Sequence, residues 1–140
     1  MSKTFEQTVE FAAAPEVLYE IFMDSERHAA AINAPASISR VEGGKFECFG
    51  GGLTGTNLRL VPGRMIVQSW RANEWKDSDP DSILILQFGK SANGGRIHLI
   101  HANIPDHSYE MINEGWGAHY WEPWKAYLAA QKPMKHAVSH

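Results

Sequence analysis

The sequence holds a single cysteine, Cys48, in 140 residues, so no internal disulfide can staple the chain and its stability must come from a packed core. It has no apolar run approaching the roughly 18 residues that a membrane-spanning helix needs. The polar opening Met1-Ser2-Lys3-Thr4 also lacks the apolar core of a signal peptide. A reducing cytoplasm is the expected location. Thirteen Lys and Arg, thinly spread, against sixteen Asp and Glu leave a formal net charge of −3 and no cationic stripe that could neutralise a run of phosphates. Nucleic acid is not an expected partner. With 44% hydrophobic and 21% charged residues the composition excludes disorder and fibrous repeats. A chain of this length makes one domain that buries roughly two-thirds of its unfolded surface. The expected domain spans residues 1–132, with a patternless and therefore flexible tail expected from Pro133 to His140.

The pattern begins with alternation. Phe5, Val9 and Phe11 interleave with Thr4, Glu6, Thr8 and Glu10, which predicts a half-buried strand from Thr4 to Phe11. Pro15 suits a first helical turn, and Val17, Leu18, Ile21 and Phe22 then share one helical face. A second short helix is expected with Ser25 as its cap, ending near Asn33 and Pro35.

Short strands separated by turn residues follow, as in an antiparallel meander. They are Ser37–Val41, Lys45–Phe49, Leu53–Leu60, Arg64–Ala72, Ser82–Lys90 and Arg96–Ala102, divided by glycine-rich, proline-containing or acidic turns. With the first strand the sheet has six or seven. Beyond Pro105 the period changes: Ile112, Trp116, Tyr120, Trp124 and Leu128 recur every four residues, with His119 and Tyr127 on the same side. That is a long helix with an aromatic stripe, and Pro123 should kink it. An α+β fold follows: a curved antiparallel sheet of six to seven strands around a long C-terminal helix, with two short helices after the first strand.

From about Phe11 to Ala129 the sequence resembles the carboxy-terminal domain of the activator of the heat-shock protein 90 ATPase, within the START-like superfamily. The resemblance is carried by Pro15-Glu16-Val17-Leu18-Tyr19-Glu20, Ala34-Pro35-Ala36, Gly43-Gly44-Lys45-Phe46 and Leu60-Val61-Pro62-Gly63. Ile66-Val67-Gln68-Ser69-Trp70-Arg71 with Trp75, then Ile104-Pro105 and Gly115-Trp116, complete the ordered set. It implies the helix-grip fold, a central cavity used for apolar small molecules, and contact with the chaperone. It supplies no catalytic residues. The full-length activator has a separate amino-terminal domain that makes a major part of the chaperone contact, whereas this sequence opens directly into its first strand.

Several motifs fail on their own terms. Gly50-Gly51-Gly52-Leu53-Thr54-Gly55 has the letters of a dinucleotide fingerprint, but no helix follows to receive a pyrophosphate. It reads as a turn or bulge. Asp77-Ser78-Asp79-Pro80-Asp81 starts like a calcium loop, yet Ser82 stands in place of the turn glycine and Phe88 in place of the bidentate glutamate. His98 and His101 are three apart on a strand, so they point to opposite faces and cannot share a metal. His136 and His140 fall in the tail. No metal or other cofactor is expected.

What remains is the aromatic load: Trp70, Trp75, Trp116, Tyr120, Trp124 and Tyr127. Core packing accounts for most of it. A cavity between sheet and helix would draw its lining from Trp70, Trp116, His119, Tyr120 and Trp124, making the domain a non-enzymatic binder of a hydrophobic or aromatic small molecule. Two alternatives stand beside it: a co-chaperone acting on heat-shock protein 90, and a polyketide-cyclase-like enzyme using His119, Tyr120 and Glu122. Against the enzyme, Glu122 turns away from its neighbours on a regular helix, and Cys48 has no histidine nearby in sequence. Arg71 and Arg59 are expected at the surface or paired with a carboxylate such as Glu74 or Glu114. Trp75, expected to be exposed, would mark a homodimer contact.

Overall fold

A computed structural model of the protein describes the backbone of residues 2–138 and the side chains of residues 2–131. Seven antiparallel strands form one sheet in the order β1-β7-β6-β5-β4-β3-β2. They are β1 (Ser2–Phe11), β2 (Ala36–Ile38), β3 (Lys45–Cys48), β4 (Leu53–Val61), β5 (Met65–Ala72), β6 (Ser82–Ser91) and β7 (Gly94–Pro105). Each matches an expected strand to within a few residues. The early closure of β1 onto β7 brings the first and last strands together, so the hairpin run curls away from them as a grip.

Two short helices, α1 (Pro15–Met23) and α2 (Ser25–Ile32), follow β1. The cap of α2 is Asp24, not Ser25: its carboxylate accepts from the Arg27 N–H at 3.0 Å. Ser25 serves the sheet instead, its hydroxyl oxygen accepting from the Ile38 N–H at 2.8 Å. Asn33 ends α2 with φ of 55°, a left-handed conformation that asparagine tolerates well.

The hairpin between β4 and β5 settles the register. Val61 pairs with Met65 and Leu60 with Ile66, and a bulge lies between Asn57 and Arg59. Ile66, Gln68, Trp70 and Ala72 therefore share the inner face and are buried, whereas Leu58 is exposed at the bulge. Gly55 sits opposite Trp70. A Cβ there would collide with the Ser69 carbonyl oxygen and the Phe46 ring, so only glycine lets the strand bend this closely.

The chain returns across the inner face as one helical run. A 3₁₀ turn (Asp106–Ser108) leads into α3 (Tyr109–Gly115), a π-helical segment (Trp116–Trp121) and α4 (Glu122–Val138). Pro123 explains the middle piece. It has no N–H for the His119 carbonyl, and its ring would clash with that carbonyl in a regular α-turn. The helix widens ahead of it, the Glu122 N–H bonding the Gly117 carbonyl five residues back. The extra residue per turn brings Trp121 inward beside Trp116 and Tyr120, all three buried. Of the tail expected from Pro133 to His140, the helical backbone of α4 is described as far as Val138; the side chains of His136 and His140 lie outside the described residues.

Candidate functional site

At one end of the space between helix and sheet lies a cavity of about 270 Å³. Its floor is the inner face of β4 and β5, where Leu53, Trp70 and Ala72 project. Its roof is the helical run, through Ile112, Gly115, Trp116 and Tyr120. Small residues make the room: Gly115 and Gly52 carry no side chain, and Ala72 stops at its methyl group. The rim carries Phe49, Asn73, Glu74, Met111 and His119.

Phe49 is held there by an unusual backbone. Its φ is 56°, a left-handed conformation rare outside glycine, and Gly50 and Gly51 continue at 63° and 96°. The turn reading of this glycine cluster holds, and its product is an aromatic ring standing edge-on to His119 and Tyr120 at centroid distances of 6.1 and 6.2 Å.

Behind the cavity wall run two hydrogen-bond chains. In the first, the Trp116 indole N–H donates to His101 Nδ1 at 3.1 Å. His101 Nε2 therefore carries the ring proton and donates to Ser82 Oγ at 2.9 Å, and the Ser82 hydroxyl donates to the Trp70 carbonyl at 2.7 Å. Both cavity tryptophans are thus tied to one buried imidazole. In the second, His28 Nδ1 donates to the Phe22 carbonyl at 2.7 Å, so Nε2 accepts from the Tyr120 hydroxyl at 2.8 Å. Cys48 Sγ lies 3.5 Å from the same Nε2.

Burial sets the chemistry of these groups. It lowers His28 to about 4 and His101 to about 3, so both stay neutral. It pushes the Cys48 thiol up to about 11 and raises the Tyr120 phenol well above its ordinary value. A thiol held protonated beside a histidine of low basicity is the reverse of an activated nucleophile. The Cys48–His28 contact, 20 residues apart in sequence, is invisible to a local reading.

Of the residues proposed from the sequence, Trp70, Trp116, His119 and Tyr120 come together around the cavity. Trp124 does not. It is fully buried at the other end, against Phe11, Phe22 and Trp121. Glu122 is exposed and sits 3.7 Å from Lys125, so it does not join His119 and Tyr120. Arg71 is held by Asp81 at 3.2 Å and by the carbonyls of Lys76 and Asp79, not by Glu74 or Glu114. Arg59 faces Glu42 at 3.5 Å. Trp75 is buried, its indole N–H donating to Ser108 Oγ at 2.9 Å, so it offers no exposed patch for a second copy. His98 faces outward to Glu6 at 2.8 Å while His101 faces inward, as their spacing requires. Among the described residues no group of His, Cys, Asp and Glu could hold a metal ion, and no helix is long and apolar enough to cross a membrane.

Trp121 and Phe49 were missed from the sequence. Trp121, five residues after Trp116, falls off an α-helical stripe, and only the π-helical segment brings it in; its indole N–H donates to Gln7 Oε1 at 2.8 Å. A proline after an aromatic cluster was the available signal.

A curved antiparallel sheet gripping a terminal helix, with an apolar cavity between them, is a START-like helix-grip domain. The particular branch comes from comparison. The chain belongs to the family of Activator of Hsp90 ATPase homolog 1-like proteins, whose profile matches residues 12–129. It is 29% identical over 115 residues to an activator of 90 kDa heat shock protein ATPase homolog from Dictyostelium discoideum, covering 82% of this chain and 30% of that protein. It is 30% identical over 112 residues to homolog 1 from Homo sapiens, covering 80% and 33%. The chain thus spans about a third of the length of these curated relatives. A crystal structure of an HSP90 activator from Plasmodium falciparum matches with a TM-score of 0.83 and 26% identity, over 90% of this chain and 96% of that one. A Mesorhizobium loti protein shares the fold at 14% identity, with a TM-score of 0.78 over 91% and 98%.

Proposed function

We propose that the domain is a non-enzymatic binder of a small, largely apolar aromatic molecule, held in the cavity against Trp70 on the sheet and Trp116 and Tyr120 on the helical run. The observation that carries this reading is the cavity itself: about 270 Å³, walled by aromatic and aliphatic side chains, and reached through a rim that bears its few polar groups. Its volume falls just below the roughly 300–1,000 Å³ range of drug-sized pockets, which suits no more than one or two fused rings. The wall is rigid. Hydrogen bonds fix Trp116 and Tyr120 from behind, so a ligand would pay little ordering entropy on entry. His119 lies at the rim, exposed, and the buried histidines are held neutral, which favours binding over acid–base chemistry.

Titrating a small aromatic such as indole by isothermal calorimetry tests this. Ala72→Leu, which fills the cavity from its floor, should abolish the binding heat in a folded protein. Undiminished binding in that variant would contradict the reading.

A second reading is favoured by the names of the relatives: contact with a heat-shock protein 90 homologue and stimulation of its ATPase, with the outer surface of the domain as the contact. It concerns a different surface and is compatible with the first. A coupled ATPase assay with the chaperone from the same organism separates them, since stimulation that survives Ala72→Leu belongs to the outer surface, and neither binding nor stimulation would remove this reading.

A further inference from the structure

The rim of the cavity is electrically one-sided. Glu74 is its carboxylate, and among the described lining residues there is no lysine or arginine. Arg71 is committed to Asp81 and to the carbonyls of Lys76 and Asp79, with its guanidinium carbon 5.9 Å from the centroid of the Trp75 ring, and Lys76 does not line the cavity. Glu74 itself has no ion-pair partner among the described residues. Below it the walls are the rings of Trp70, Trp116, Tyr120 and Phe49, whose π faces attract positive charge. The indole N–H of Trp116 is consumed by His101 and the Tyr120 hydroxyl hydrogen by His28 Nε2, so neither is free to donate to an anionic ligand. The net charge of −3 adds a field of the same sign.

From this charge complementarity we infer that the ligand class is an aromatic cation: a planar ring that fills the cavity, carrying an ammonium group on a short arm that reaches Glu74 at the rim. The inference rests on the aromatic-binder reading and adds its charge specificity. Glu74 is a specificity-determining residue in this account, while the rings supply most of the affinity. An anionic analogue of the same ring would bring its carboxylate to Glu74, with no lysine or arginine among the described lining residues and only the His119 ring and the Asn73 amide to receive it.

Calorimetry with three probes of one ring system tests this: tryptamine (cation), indole (neutral) and indole-3-propionate (anion), at low salt. Tryptamine should bind tightest and indole-3-propionate weakest. For an exposed charge pair the tryptamine advantage over indole should be about two- to fivefold, and it should shrink in high salt. Glu74→Gln, at an exposed position that does not threaten folding, should bring tryptamine to the affinity of indole and leave indole unchanged. Equal binding of all three, or tightest binding of the anion, overturns the charge inference and leaves the aromatic cavity standing. A tryptamine advantage that persists in Glu74→Gln overturns the assignment to Glu74. Binding of none of the three overturns both the inference and the reading beneath it.

Discussion

The two ends of the space between helix and sheet are made of the same residue types and come out opposite. At the closed end, Trp124 meets Phe11, Phe22 and Trp121 at ring distances of 5.5 to 6.4 Å and is wholly buried. Its indole N–H has no partner among the described residues, so packing alone holds it. At the open end, Trp70, Trp116 and Tyr120 line the cavity, and Trp116 and Tyr120 are secured by hydrogen bonds from behind. Neighbours explain the difference. Phe11 of β1 and Phe22 of α1 pack on Trp124 at the closed end, whereas Gly52, Ala72 and Gly115 leave room at the open end. Aromatic residues make a core where large side chains face them and a pocket where small ones do.

Removing the ring at the closed end should have the largest effect. Trp124→Ala should lower the unfolding free energy by about 3–5 kcal/mol, measured by urea denaturation, because a sealed aromatic site cannot collapse. A loss under about 1 kcal/mol would erase the distinction between the ends.

Acid should come next, and it tests the two imidazoles that secure the open end from behind. His28 and His101 have folded values of about 4 and about 3, below the unfolded value near 6.5, so the unfolded chain takes up protons first. Their stabilising contribution is complete above about pH 6.5 and is lost as pH falls toward the folded values. At pH 5.5 the two together should cost about 3 kcal/mol relative to pH 8. Replacing either by glutamine should remove its share of the slope, and a slope unchanged in both variants would contradict the burial of neutral imidazoles.

Trp116→Phe keeps a ring in the open end but removes the donor to His101 Nδ1. It should cost about 1–3 kcal/mol for a buried acceptor left without its partner. Filling the cavity is expected to matter least for stability. Ala72→Leu should change the unfolding free energy by less than about 1.5 kcal/mol, whereas the same kind of addition in a packed core costs about 1–3.

Much of this architecture is legible in the sequence, and the reason is periodicity. The alternation from Thr4 to Phe11 and the turns at Gly43-Gly44, Val61-Pro62-Gly63 and Ala92-Asn93 are local signals, and the strands follow them. The four-residue spacing of Trp116, Tyr120 and Trp124 locates the helix and, with His119 on the same side, three of the cavity residues; Trp70 comes from the strand pattern. What was not legible depends on approach through space. The spacing places Trp124 with Trp116, but nothing local says that α1 covers one and not the other. The π-helical segment turns Trp121 inward, the loop after β5 folds Trp75 onto Ser108, and Arg71 finds Asp81 and two carbonyls of that loop instead of Glu74 or Glu114. Cys48 and His28 meet only because α2 packs near β3.

The contrast between the ends can be read in a single spectrum. Each tryptophan gives its own indole N–H resonance, so titrating indole into ¹⁵N-labelled protein reports on five rings at once. The account predicts that the signals of Trp70 and Trp116 move together and saturate, while that of Trp124 stays where it was. Movement at Trp124 without movement at Trp116, or a titration in which no indole signal moves, would contradict it.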